Sequence, residues 1–113
     1  MNSYENRISE LEKLSITDDT TGLKNKRAFK IHFDRLYSTK KSIRYKYLAI
    51  LDIDNFKKYN DTFGYISGDE LLKSLSNELI KINMLCKTNI DLYRWGGEEF
   101  VLIFHNILKK ELI

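Results

Sequence analysis

The sequence is short of several residues that would define its class. One cysteine, Cys86, stands among 113 residues. That excludes an internal disulfide framework and fits a reducing compartment. Two histidines, His32 and His105, are too few to make a zinc site with so little help. Proline is absent, which excludes little. No apolar run approaches the roughly 20 residues that cross a bilayer, and no signal peptide precedes the first polar residues. Charge of one sign is scarce as well: the net charge is +3 and the pI about 8.9. Lys and Arg are interleaved with Asp and Glu, a mixed solvated surface rather than a nucleic-acid footprint. The most basic run, STKKSIRYKY, reads as a helix end and loop. A cytoplasmic domain, or the cytoplasmic part of something larger, is the expectation.

What is present is globular in composition, 42% hydrophobic and 31% charged, in a length that suits one domain with one core. Glu5 to Ile16 read as an amphipathic helix with Ile8, Leu11 and Leu14 on one stripe. Such a stripe is too thin to be stable alone and wants the domain body or a second copy of itself. After the polar turn TDDTTGL, Asn25 can cap a second helix with Phe29, Phe33, Leu36 and Tyr37 on one face. Leu48 to Leu51 is a continuous apolar run, which suits a central strand buried on both faces. It ends in Asp52-Ile53-Asp54. NFKKYNDTFGYISGDE suggests a short helix and a loop. Ser67 and Glu70 form a capping-box pattern before a long helix lined by Leu71, Leu72, Leu75, Leu79 and Ile82. IDLYRW and EFVLIF read as strands joined by a tight hairpin, whose glycines supply positive φ cheaply. NILKKELI looks like a helix beginning. The order describes an α/β domain with at least one antiparallel pair.

Two acidic clusters sit where strand turns to loop, Asp52-Ile53-Asp54 and Glu98-Glu99. If the hairpin pairs beside the Leu48 strand, both lie near one sheet edge. Carboxylates converging there repel one another unless a cation sits between them, and Mg²⁺ suits such oxygen donors. Local roles compete with this: Asp54 as a helix cap, Asp69 at the positive end of a helix, Glu98 as an exposed turn residue. The clustering with glycines, Lys57 and Asn60 favours a nucleotide site, with carboxylates for metal, lysine and backbone N–H for phosphate, and Asn or Asp for a base edge. No GxxxxGK[ST] loop is present, so the site is not a P-loop.

DDTTGLKNKRAF, LDIDNFKKYNDTFGYISGDELL and YRWGGEEFVLIF resemble, in order and approximate spacing, three motifs of the GGDEF family, the diguanylate cyclases. The resemblance runs from about Asp18 to the end, and three linked motifs make it highly specific. It implies a domain at residues 18–113 that covers the N-terminal two-thirds of the family domain, preceded over residues 1–17 by an amphipathic signalling or linker helix. It implies a fold like the palm of nucleotide cyclases and polymerases, a mainly antiparallel sheet with helices around it, α+β and here incomplete at its C-terminus. The implied reaction condenses two GTP molecules into cyclic di-GMP across a homodimer, with a sensor or receiver domain in the full-length protein.

Residue by residue, the resemblance implies that Asp52 and Glu98 hold Mg²⁺ or Mn²⁺ with the carbonyl of Ile53. Glu99 serves a second metal or helps deprotonate the attacking hydroxyl. Gly96 and Gly97 let backbone approach the nucleotide. Asn60 and Asp69 read the guanine edge. Lys57, with the N–H groups of Asn55 and Phe56, holds the phosphates.

The chain departs from the family pattern in four places. Thr20 replaces a leucine and Tyr65 a histidine. Where the family's inhibitory R-x-x-D motif belongs, Lys87 stands near the arginine's place and Asp91 is one residue too close to the glycines. The expectation is weak or absent product feedback. The family domain also continues past Ile113 with basic residues that grip the triphosphate and a strand that completes the sheet. Without them a sheet edge is left uncovered, in either a fragment or a natural truncation.

Overall fold

A computed structural model of the chain describes residues 2–38, 47–85 and 89–105. The elements in chain order are α1 (Ser3–Ser15), α2 (Lys26–Ser38), β1 (Tyr47–Asp52), α3 (Phe56–Phe63), α4 (Tyr65–Leu85), β2 (Asn89–Gly96) and β3 (Glu99–His105). The expected basic loop over 39–46, Cys86, Lys87 and the expected helix over NILKKELI lie outside the described residues, as do the side chains of Leu14, Leu36 and Tyr37.

The helix starts follow local chemistry. Asn2 Oδ1 accepts from Glu5 N at 2.8 Å, which starts α1 before the expected Glu5. The expected cap Asn25 does cap α2, accepting from Ala28 N at 3.0 Å. The local role offered for Asp54 and the expected helix start at Ser67 both fail. Asn55, not Asp54, is the N-cap of α3, and its side chain makes no capping bond. Ser67 does not open the long helix, which already runs from Tyr65. Only Gly64 separates α3 from α4, at φ 90 and ψ 163, a conformation open to glycine alone.

The strands form an antiparallel sheet of order β1-β3-β2. Side-chain parity puts Phe100, Leu102 and Phe104 on one face with Ile90 and Leu92. Phe56, Leu72, Leu75 and Leu79 pack there from α3 and α4. Val101 and Ile103 point the other way with Tyr93, and α2 covers them with Ala28, Phe29 and Phe33. Phe29 anchors that layer, with its ring 5.3 Å edge-on from Tyr93 and 5.1 Å from Trp95. The architecture is α+β, helices on both faces of an antiparallel sheet.

The strand buried on both faces is therefore β3, not the Leu48–Leu51 strand. Both are continuous apolar runs, and that pattern does not say which lies in the middle. Among the described residues, the buried side chains of helix α2 pack on β2 and β3 rather than on β1. Leu48 and Ile50, which share the α2 face through their partners Ile103 and Val101, remain 47% and 67% exposed. Among the described residues β1 pairs with β3 alone.

The edge of β2 is closed. Asn83 on α4 donates to Ile90 O at 2.8 Å and accepts from Ile90 N at 3.1 Å, so one side chain imitates a neighbouring strand. Lys24 bridges to Tyr93, and Lys24 O accepts from Arg94 N at 2.8 Å. Helix α1 keeps an exposed stripe, with Ile8 at 40% and Leu11 at 57%.

Candidate functional site

The hairpin between β2 and β3 turns at Gly97-Glu98, with Gly96 opposite Glu99. Gly97 has φ 48, a left-handed value at the first central position, where a II′-type turn wants glycine. The register shifts between Arg94 and Gly96, a bulge at Trp95 that re-aims the strand end. The two adjacent glycines are thus used differently, Gly97 for the turn and Gly96 for the last pairing.

β1 delivers the second acidic cluster to the same place. Asp52 is the cross-strand partner of Glu99, and Ile53 N donates to Glu98 O at 3.2 Å. Asp52, Ile53, Glu98 and Glu99 are therefore brought by their backbones to one end of the sheet. These residues offer hard oxygen donors, a chemistry that fits Mg²⁺ or Mn²⁺ when other oxygen ligands complete the shell. Among the described residues no three His, Cys, Asp or Glu side chains come close enough to hold an ion by themselves.

The chain leaving Asp52 turns at Asn55, a non-glycine residue in the left-handed region at φ 58 and ψ 29. This turn starts α3, so the N–H groups of Asn55 and Phe56 belong to the N-terminal turn of a helix, a favourable end for anions. Lys57 is exposed on that turn, while the Phe56 side chain is buried in the core and holds the turn against the sheet.

Asn60 and Asp69 stand across the α3–α4 corner, Asp69 exposed and Asn60 half-buried. The corner is tied by backbone: Gly64 N donates to Asn60 O at 2.7 Å and Gly68 N to Gly64 O at 3.1 Å. The Asn60 Oδ1 is buried with no protein partner among the described residues.

One residue that sequence reasoning left without a role holds the hairpin. Arg94 donates from Nη2 and Nε to Gly97 O at 2.9 and 3.3 Å. Its Nη1 donates to Asp18 at 3.1 Å. Burial alone would raise the Asp18 pKa, but hydrogen bonds from Thr21 and Arg94 outweigh it and hold the carboxyl below its usual value. Asp18 thereby links the segment after α1 to the hairpin turn. The partners are 76 residues apart, beyond any local periodicity. The quoted motifs contain both residues, and that was the only signal.

Asp91 lies on the α2 face of β2. Its Oδ2 is 2.8 Å from His105 Nε2 and its Oδ1 3.8 Å from Lys24 Nζ. Tyr93 is fully buried, with its hydroxyl 2.7 Å from His32 Nδ1. Burial first, then the nearby Asp91 charge, pushes that phenol well above its usual range.

Known proteins resemble this chain over most of its length. The family profile described as "Diguanylate cyclase, GGDEF domain" matches residues 15–113. Diguanylate cyclase VdcA of Vibrio cholerae is 34% identical over 97 residues, 86% of this chain and 27% of that protein. Response regulator PleD of Caulobacter vibrioides is 38% identical over 103 residues, 87% of this chain and 21% of its own length. The solved coiled coil and GGDEF domain of DgcB from Caulobacter crescentus, in complex with c-di-GMP, superimposes with a TM-score of 0.84 at 26% identity. That match covers 96% of this chain and 56% of the DgcB chain. This chain thus spans about a quarter of the length of those curated relatives. No helix among the described residues is long and apolar enough to cross a membrane.

Proposed function

This chain belongs to the GGDEF domain family of diguanylate cyclases, and from that premise we propose that it binds GTP at the Asp52–Glu99 end of the sheet as one half of a cyclase that makes cyclic di-GMP. The observation that carries the reading is the pairing of Asp52 with Glu99 and of Ile53 N with Glu98 O, which joins the two acidic motifs. A pair of chains holds two GTP molecules. The 3′-oxygen of each forms a bond to the α-phosphorus of the other, the bond to the leaving pyrophosphate breaks, and two turns of this step close the ring.

Each residue has a share in that step. Asn60 and Asp69 bind the guanine edge, where a carboxylate accepts from ring N–H and amino groups that adenine does not present in that order. The N–H groups of Asn55 and Phe56, with Lys57, hold the phosphates. Gly96 and Gly97 admit the nucleotide close to the backbone. Glu99 receives the proton of the attacking hydroxyl. Asp52, Glu98 and the Ile53 carbonyl would hold Mg²⁺ or Mn²⁺, which when bound offsets the charge of the phosphates. Arg94 keeps the turn in place through Gly97 O.

Incubation with GTP and Mg²⁺, with products separated by chromatography, tests the activity. Cyclic di-GMP is expected, together with its loss in Glu99→Gln. A second reading, a GTP-binding or dimerising module without turnover, is favoured by one observation. Among the described residues, the cations on the turn proposed to hold phosphate are Lys57 and its neighbour Lys58 alone. GTP binding without product, beside an active longer relative, would establish that reading. Product feedback is expected to be weak, since Asp91 already engages His105 and Lys24. Tight cyclic di-GMP binding lost on mutating Lys87 or Asp91 would contradict this.

A further inference from the structure

Glycine is among the poorest helix formers, yet Gly68 stands in the first turns of α4 and is buried. Its φ is not left-handed, so the backbone does not require glycine there. Space does. A Cβ built on Gly68 would overlap Asn60 Oδ1 and lie 2.9 Å from Asn60 Cγ. The side-chain amide of Asn60 therefore lies against the bare backbone of α4, in a position that any other residue at 68 would fill. Among the described residues its Oδ1 is buried there without a partner, so packing rather than hydrogen bonding sets its place. Gly68 also immediately precedes Asp69, and its N–H closes the corner through Gly64 O.

We propose that Gly68 is a positioning residue for base selection: its missing side chain is the seat of the Asn60 amide, and this seat sets Asn60 beside Asp69 toward the guanine edge. The inference rests on the reading of Asn60 as a guanine contact. Gly68 touches no nucleotide; it acts through Asn60.

The test compares Gly68→Ala, Asn60→Ala and the double variant in the full chain, with GDP and ADP as probes so that turnover does not intervene. Gly68→Ala should move the Asn60 side-chain amide resonances and weaken GDP binding about tenfold, the scale of one lost hydrogen bond. It should leave ADP binding unchanged, so that preference for guanine falls. Asn60→Ala should lose as much, and the double variant no more than either single change. Thermal unfolding supplies an arm independent of nucleotide. Glycine to alanine ordinarily stabilises an open helix position. Here it should lower Tm in the wild-type background and raise it once Asn60 is alanine. If Asn60→Ala weakens GDP while Gly68→Ala binds as wild type with unmoved Asn60 resonances, the Gly68 inference fails and the Asn60 reading stands. If Asn60→Ala binds GDP as wild type, the Asn60 reading fails and the role of Gly68 in selection falls with it. A Tm loss in Gly68→Ala that persists without Asn60 would also overturn the proposal, since the coupling would then lie elsewhere.

Discussion

The two edges of the sheet are built to opposite standards. Along β2, Asn83 satisfies both backbone groups of Ile90, and Lys24 O takes the N–H of Arg94. Along β1, no strand pairs on the outer side among the described residues, and Leu48 and Ile50 remain exposed. An unprotected edge with apolar side chains is a liability that proteins normally cover. The closed edge holds the glycine turn through Arg94, and the open edge carries Asp52. The candidate site lies at the end of the sheet that both edge strands reach, with β3 between them. Its hairpin is held by contacts within the described residues, whereas the outer side of β1, which carries Asp52, has no paired strand among them.

That contrast can be broken from the closed side first. Arg94→Ala removes the bonds to Gly97 O and Asp18 and leaves the Asp18 carboxylate partly buried without its cation. A loss of about 2 kcal/mol is expected in urea unfolding, with a fall in any GTP turnover because the turn loosens. Asn83→Ala comes next. It strips two bonds from the Ile90 backbone and should cost about 1–2 kcal/mol. Exchange of the Ile90 amide with solvent should quicken at the same time.

Acid gives a smaller, reversible probe of the closed side. Burial first, then the Lys24 charge, lowers the His32 pKa from 6.5; Asp91 opposes this and Arg35 adds to it. The folded state thus binds the imidazole proton less readily than the unfolded chain. The His32 contribution is complete above about pH 6.5 and is lost as pH falls through the lowered folded value. Thermal melts between pH 7.5 and 5 should show Tm falling, and His32→Gln should flatten that slope. On the open edge, Ile50→Thr should change stability by less than about 0.5 kcal/mol, because its side chain is already exposed. A larger loss would mean that β1 is covered in solution.

Much of the fold was legible because local chemistry decided it. Asn25 before an aromatic stripe announced α2, and two glycines between apolar runs announced the hairpin. The motif acids were legible as a set, and the pairing of Asp52 with Glu99 joins them at the sheet end as expected. What escaped was tertiary. The runs at Leu48 and Phe100 look alike, so burial of β3 and exposure of β1 followed from where α2 lies. Neither the clamp of Arg94 on Asp18 nor the seat of Asn60 on Gly68 leaves a periodic trace. A glycine inside an otherwise helical run was the one local sign of the latter.

The proposed guanine-nucleotide site at the end of the sheet is open to direct measurement. Calorimetric titration with GTP and with ATP in Mg²⁺, on the wild type and on Asp69→Asn, tests it most directly. GTP should bind well ahead of ATP, and Asp69→Asn should remove most of this preference. Equal binding of the two nucleotides, or a preference untouched by Asp69→Asn, would contradict it.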